Sequence, residues 1–273
     1  MTRTPKQQVK HFLKTGHCDV LPLGWPGDWI SAAKNADHAM RDALIAQVRD
    51  RAQGLPVPKA PVVDFRAFTR NKVSPMVVGL FRDSERANVL EMLENSVVFL
   101  AGDNIEDVIR HTRWAHTAWT LANLYLLSIG AELMSASAPR LVGLSEETTC
   151  YVSHDYFDNE ERFADFVVHE VAHVFHNCKR ATVGLPETRT KEFLLNIDFH
   201  QRETFAYACE VYSRILELAE TRKQRMALLE AVCTDFVVPD QNADIEKFRA
   251  AVSAAVRARN GWNKILQICA PKL

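Results

Sequence analysis

Several things are scarce in this chain. Its 273 residues include six cysteines, Cys18, Cys150, Cys178, Cys209, Cys233 and Cys269, and no two of them stand as C-x-x-C. Scattered cysteines in a chain of this length read as reduced and mostly buried, which makes a disulfide framework the less favoured account. No stretch approaches the roughly 18 apolar residues of a membrane span. The most apolar candidate, WTLANLYLLSIG, is short and interrupted by Asn123 and Ser128. The opening MTRTPKQQVKHFLKTG lacks the apolar run of a signal peptide. These absences lead to the expectation of a cytoplasmic protein without a membrane partner. Charge of one sign is also missing: the net charge is −1 and the sequence pI about 6.8. Nucleic acid is therefore an unexpected partner. Internal repeats and low-complexity segments are absent too.

What is present is ordinary globular material, 47% hydrophobic and 25% charged. That is enough chain for one large domain or two small ones. GLPVPKAP, at 54–61, is the best linker in the sequence. It separates an N-terminal helical appendage, 1–60, from a main domain, 61–273. Within the appendage Asp28 is a candidate cap for a helix running to about residue 51. VVDFRAFT alternates like a strand. Helices are expected near 83–95, 104–129, 159–178, 198–219, 222–235 and 241–256. Short strands fall within APRLVGLSEETTCYVSHDYF. The sum is a helix-rich α+β chain with a small mixed sheet.

The stretch FVVHEVAHVFHNCKR, 166–180, carries the chemistry. His169-Glu170-Val171-Ala172-His173 fits H-E-x-x-H. Residues four apart on a helix share a face, so both imidazoles can reach one zinc at about 2.0–2.1 Å. The glutamate beside the first histidine can act as general base on a metal-activated water. Val167, Val168, Val171, Val174 and Phe175 gather on one side as a core face. His169, His173 and His176 fall on the other, where lysine and glutamate are usual. The bland alternative is a solvated helix face that carries histidines.

A zinc with two histidine ligands needs a third protein ligand and an open position for water. FHQRETFAYACEVYSR, 199–214, sets His200, Glu203, Tyr207, Glu210 and Arg214 in one stripe. Glu203, thirty residues past His173, leaves room for a turn and an antiparallel return and is the ligand chosen. Glu210, His200 and His176 remain alternatives. Tyr207, one turn after Glu203, could donate to an oxyanion, and a core tyrosine is an equal reading.

H-E-x-x-H on a helix, followed by a glutamate on a later helix, resembles the gluzincin branch of the zincin metallopeptidases over roughly residues 140–220. ETFAYA after the motif is similar to the small intracellular ImmA/IrrE-like proteins, although EVYSRIL follows in place of their Leu-Met-Pro-type ending. The resemblance implies a zincin-like domain with an active-site helix and a glutamate helix. It implies Zn2+ on His169, His173 and Glu203, Glu170 as catalytic base, and a peptide or protein substrate. It also implies an edge strand before the active helix, with TTCYVSHDYF placed for that role. A non-catalytic zinc-containing or partner-binding protein is the alternative, signalled by a fourth protein ligand such as His176. His154 and Asp155, between that strand and the helix, are candidates for the cleft wall. Lys6, Lys10 and Lys14, spaced four apart, read as a solvated basic face.

Overall fold

The computed structural model describes residues 3–56, 63–158, 160–189 and 191–271. Among them the chain forms α1 (Pro5–Thr15), α2 (Trp29–Ala52), α3 (Phe65–Leu80), α4 (Asp83–Leu93) and β1 (Val97–Leu100). Next come α5 (Ile105–His111), α6 (Ala115–Ser128), β2 (Gly143–Glu146), β3 (Thr149–Ser153) and α7 (Phe166–Asn177). The last are α8 (Arg202–Leu218), α9 (Arg222–Asp235), α10 (Ile245–Arg257) and α11 (Gly261–Cys269). The strands make one sheet in the order β1-β3-β2. The fold is therefore helix-rich α+β with a small mixed sheet, as the sequence predicts.

The chain gathers into two compact units. The first takes in α1 and α2 with Phe99–Leu144 and Ser153–Phe157; the second takes in α3, α4, Ser145–Val152 and the helices from α7 on. Most of GLPVPKAP lies outside the described residues, and with it the expected linker.

In the first unit, Phe12, Leu44, Ile45, Ile109, Leu121 and Leu124 form a closed apolar centre. The predicted long helix over 104–129 is two helices. Arg41, buried on α2, donates through Nη1 to the carbonyl of Ile109 at 2.5 Å and to Thr112 Oγ1 at 2.9 Å. That carbonyl is the one a continuing helix would offer to residue 113, so the chain breaks there. Asn123, which interrupts the apolar run in sequence, is buried and satisfied. Its Nδ2 donates to the Trp119 carbonyl and its Oδ1 accepts from Met134 N, both at 2.8 Å.

In the second unit, the described part of VVDFRAFT, residues 63–69, is not a strand. Asp64 caps α3 by accepting from Ala67 N at 3.0 Å. Thr69, Val73, Met76 and Val77 then supply buried positions at helical spacing. The expected helix from 159 begins only at Phe166, after a 3-10 turn at His154–Asp158. β1 and α11 have no counterpart in the sequence reading. β3 is the centre of the sheet, not its edge, because β1 and β2 pair on either side of it. TTCYVSHDYF therefore cannot offer a free edge, and β2 is the edge strand on that side.

Two glycines let α3, α8 and α11 approach closely. A Cβ on Gly79 would stand 2.3 Å from Trp262 Cδ1, and one on Gly261 would stand 2.3 Å from Tyr212 Cζ. Trp262 and Tyr212 pack edge to face, with centroids 4.8 Å apart. Both rings are buried. Gly79→Ala is therefore expected to cost about 1–3 kcal/mol through overpacking. Chemical denaturation reads this as a lower midpoint; an unchanged midpoint would mean that the contact is looser than described.

Candidate metal centre

All of the site's described residues belong to the second unit. α7 starts where Asp165 caps it, accepting from Val168 N at 3.2 Å. Val167, Val168, Val171, Val174 and Phe175 are fully buried and anchor the helix. The histidine face is not solvated, since His173 and His176 are buried as well.

His169, His173 and Glu203 converge. Their ligand atoms all lie within 4.8 Å of one another, the one such group of three among the described residues. The two Nε2 atoms are 3.2 Å apart. Glu203 Oε2 is 3.7 Å from His169 Nε2 and 3.5 Å from His173 Nε2. Tetrahedral zinc with bonds of about 2.0–2.1 Å sets its donors about 3.3–3.4 Å apart. The three separations bracket that value, so the donor set fits the ion in element, number and spacing.

The outward nitrogens are fixed too. His169 Nδ1 donates to Glu210 Oε2 at 3.0 Å. Glu210 Oε1 accepts from Asp165 N at 2.7 Å, so one buried carboxylate binds both the cap and the first histidine. His173 Nδ1 donates to His176 Nε2, and His176 Nδ1 donates to Asn177 Oδ1, each at 3.0 Å. This turns both Nε2 atoms inward, the arrangement that outer hydrogen bonds impose on metal-binding histidines.

Of the alternatives to Glu203, Glu210 sits on the far side of His169. His176 has its Nε2 engaged by His173. His200 is exposed and stacks edge-on against Phe199. Tyr207 packs its ring on His169, centroids 4.5 Å apart. His154 and Asp155 fall in the first unit.

Electrostatics follow from burial among carboxylates. Burial opposes the His169 imidazolium, yet hydrogen bonds to Glu203 and Glu210 outweigh it and lift the group to about 10. Burial would raise Glu203, but His169 and His173 hold its carboxyl far below the ordinary range. His176 is pushed down to about 3, chiefly by burial, then by the charges of His173 and Arg202. It is therefore neutral and free to accept from His173. Burial raises Glu170 against the pull of both ligand imidazoles, and Ser145 on β2 hydrogen-bonds its carboxylate. The Tyr207 phenol is raised by burial and by Glu210 and Glu203, so it stays protonated.

Sequence reasoning missed three supports: Ser145, Lys72 and the outer role of Glu210. Glu210 had a signal, standing two turns from Glu203 in the same stripe. Lys72 on α3 had none. Its Nζ is 2.8 Å from Asp165 Oδ2 and 2.6 Å from Glu217 Oε1.

Comparison of the chain with known protein families, curated proteins and solved structures found no significant match.

Removing the Lys72 charge would strand the fully buried Asp165 carboxylate. Lys72→Met is expected to cost about 3 kcal/mol at neutral pH. Burial already holds the native Asp165 pKa above its unfolded value. A raised carboxylate adds stability below its unfolded pKa and loses it as pH rises through the folded one. The penalty in Lys72→Met therefore shrinks towards acid pH. Urea unfolding at neutral and mildly acidic pH tests this, and a penalty that grew on acidification would contradict it.

Proposed function

We propose that this chain is a zinc-dependent hydrolase of zincin type, acting as a metallopeptidase on a peptide or protein substrate. The observation that carries the reading is the donor triangle of His169, His173 and Glu203, with the next residue after the first histidine a buried glutamate. Bound there, zinc supplies Lewis acidity, polarising the scissile carbonyl and lowering the pKa of water. Glu170 takes the proton from the attacking water and passes it to the leaving amine. Burial raises its pKa, which suits a group that must both accept and return a proton. Tyr207, protonated beside His169, is the candidate donor to the developing oxyanion. Glu210 and His176 position the ligands and hold their tautomers.

The resemblance to the gluzincin branch agrees with the choice of Glu203, and the resemblance to the ImmA/IrrE-like proteins rests on H-E-x-x-H followed by ETFAYA. A closed, non-catalytic zinc site would call for a fourth protein donor. His176 was the candidate, and its hydrogen bond to His173 leaves three donors and favours the catalytic reading.

Elemental analysis of the purified protein is expected to find about one zinc per chain, lost in His169→Ala and Glu203→Ala. Zinc retained in Glu203→Ala would remove that ligand from the account. Glu170→Gln is expected to keep the metal and lose about 10²–10⁴-fold in cleavage of a fluorogenic peptide library. Wild-type cleavage by Glu170→Gln would exclude it as the base. Glu210→Gln and His176→Ala should keep the stoichiometry but weaken zinc affinity about 10–100-fold in competition with a chromophoric chelator. Unchanged affinity would deny them a positioning role.

A further inference from the structure

The proposed hydrolase does not use the basic stripe of α1 or the loop that follows it. That loop and the first turn of α2, residues 18–30, expose five large apolar side chains. Val20 is 93% exposed, Ile30 65%, Trp29 58%, Leu21 47% and Leu23 44%. Single exposed apolar residues are ordinary, whereas five within eleven residues mark a contact surface.

The loop is fastened, not loose. Gln8, buried on α1, donates through Nε2 to the carbonyls of Arg3 at 3.0 Å and Leu23 at 2.8 Å. Its Oε1 accepts from Trp25 Nε1 at 2.9 Å. Arg3 pairs with Asp19 at the loop's start. The apolar side chains are thus held out on an ordered support, and binding need not order the loop first.

Charge identifies the occupant. Residues 3–34 carry five cations, Arg3, Lys6, Lys10, Lys14 and Lys34, against two carboxylates, in a chain of net charge −1. Both carboxylates are occupied internally: Asp19 by Arg3, and Asp28 by capping Ser31 N at 2.8 Å. The four lysines are exposed. Nucleic acid would take the lysines but has no place for valine and isoleucine. Lys34 stands one turn after Ile30 on α2, and an occupant that takes both cationic heads and aliphatic and tryptophan side chains is an anionic bilayer, with headgroups over hydrocarbon.

We propose that residues 3–34 form a peripheral membrane-contact surface. Lys6, Lys10, Lys14 and Lys34 meet anionic headgroups, and Val20, Leu21, Leu23, Trp29 and Ile30 enter the acyl boundary. The proposed surface is a reversible contact, not a membrane span, and does not rest on the metal site.

Co-sedimentation of the full chain with phosphatidylcholine vesicles, with and without about one-third phosphatidylserine, tests it. The wild type should sediment with the anionic vesicles and be released by salt. Lys6→Gln, Lys10→Gln and Lys14→Gln together should weaken partition about a hundredfold. Val20→Asp with Ile30→Asp should weaken it by more than about tenfold. All five positions are exposed, and unchanged circular dichroism melting would show that the variants fold. No sedimentation with anionic vesicles would overturn the proposal. So would binding indifferent to both variant sets, and so would vesicle binding that single-stranded RNA abolishes while Val20→Asp with Ile30→Asp leaves it intact. Loss of a dimer in sedimentation velocity by the apolar variants, without vesicle binding by the wild type, would assign the surface to a second copy.

Discussion

The buried carboxylate of Glu210 is the point from which the geometry of the candidate metal centre follows. One oxygen accepts the backbone N–H of Asp165 where α7 begins, and the other takes the outward nitrogen of His169. A single side chain on α8 therefore sets where α7 starts and which tautomer its first histidine adopts. A carboxylate in a low-dielectric setting costs several kcal/mol unless its acceptors are filled, so the contact admits few other geometries. With α7 and α8 locked in this register, Glu203 two turns earlier on α8 falls opposite both histidines. The ligand triangle is then a consequence of helix packing.

A second set of polar contacts repeats the device on the other ligand. His173 leans on a neutral His176, which leans on Asn177. Burial keeps His176 neutral, and neutrality makes it an acceptor. Around these contacts the apolar side of α7 is fully buried, so the helix cannot rotate to relieve a misplaced donor. Three carboxylates, Glu170, Glu203 and Glu210, act on the two ligand imidazoles. The result is a pocket of negative potential that keeps a proton on His169, and a divalent cation would take that proton's place.

Much of this centre can be read from the sequence because helical periodicity governs it. The four-residue spacing of His169 and His173 and the stripe of Glu203, Tyr207 and Glu210 need only the helix repeat to be placed. The role of Glu210 could not be read in the same way. Spacing puts it on the right face but does not say which side of an imidazole it meets. Lys72 and Ser145 come from segments remote in the chain, so only the folded packing shows them. The fold divides along the same line. Helices with caps or strong periodicity, such as α2, α4, α8 and α9, are legible. VVDFRAFT misleads because its alternation is short and Asp64 caps a helix there instead. The break between α5 and α6 depends on Arg41 from another helix. The central place of β3 depends on β1, too short to announce itself.

The most direct test of the central claim is X-ray absorption at the zinc edge on the zinc-loaded protein. The account predicts light N/O donors at about 2.0–2.1 Å with outer-shell scattering from two imidazoles. A third imidazole, or a sulfur at about 2.3 Å, would contradict the ligand set of His169, His173 and Glu203.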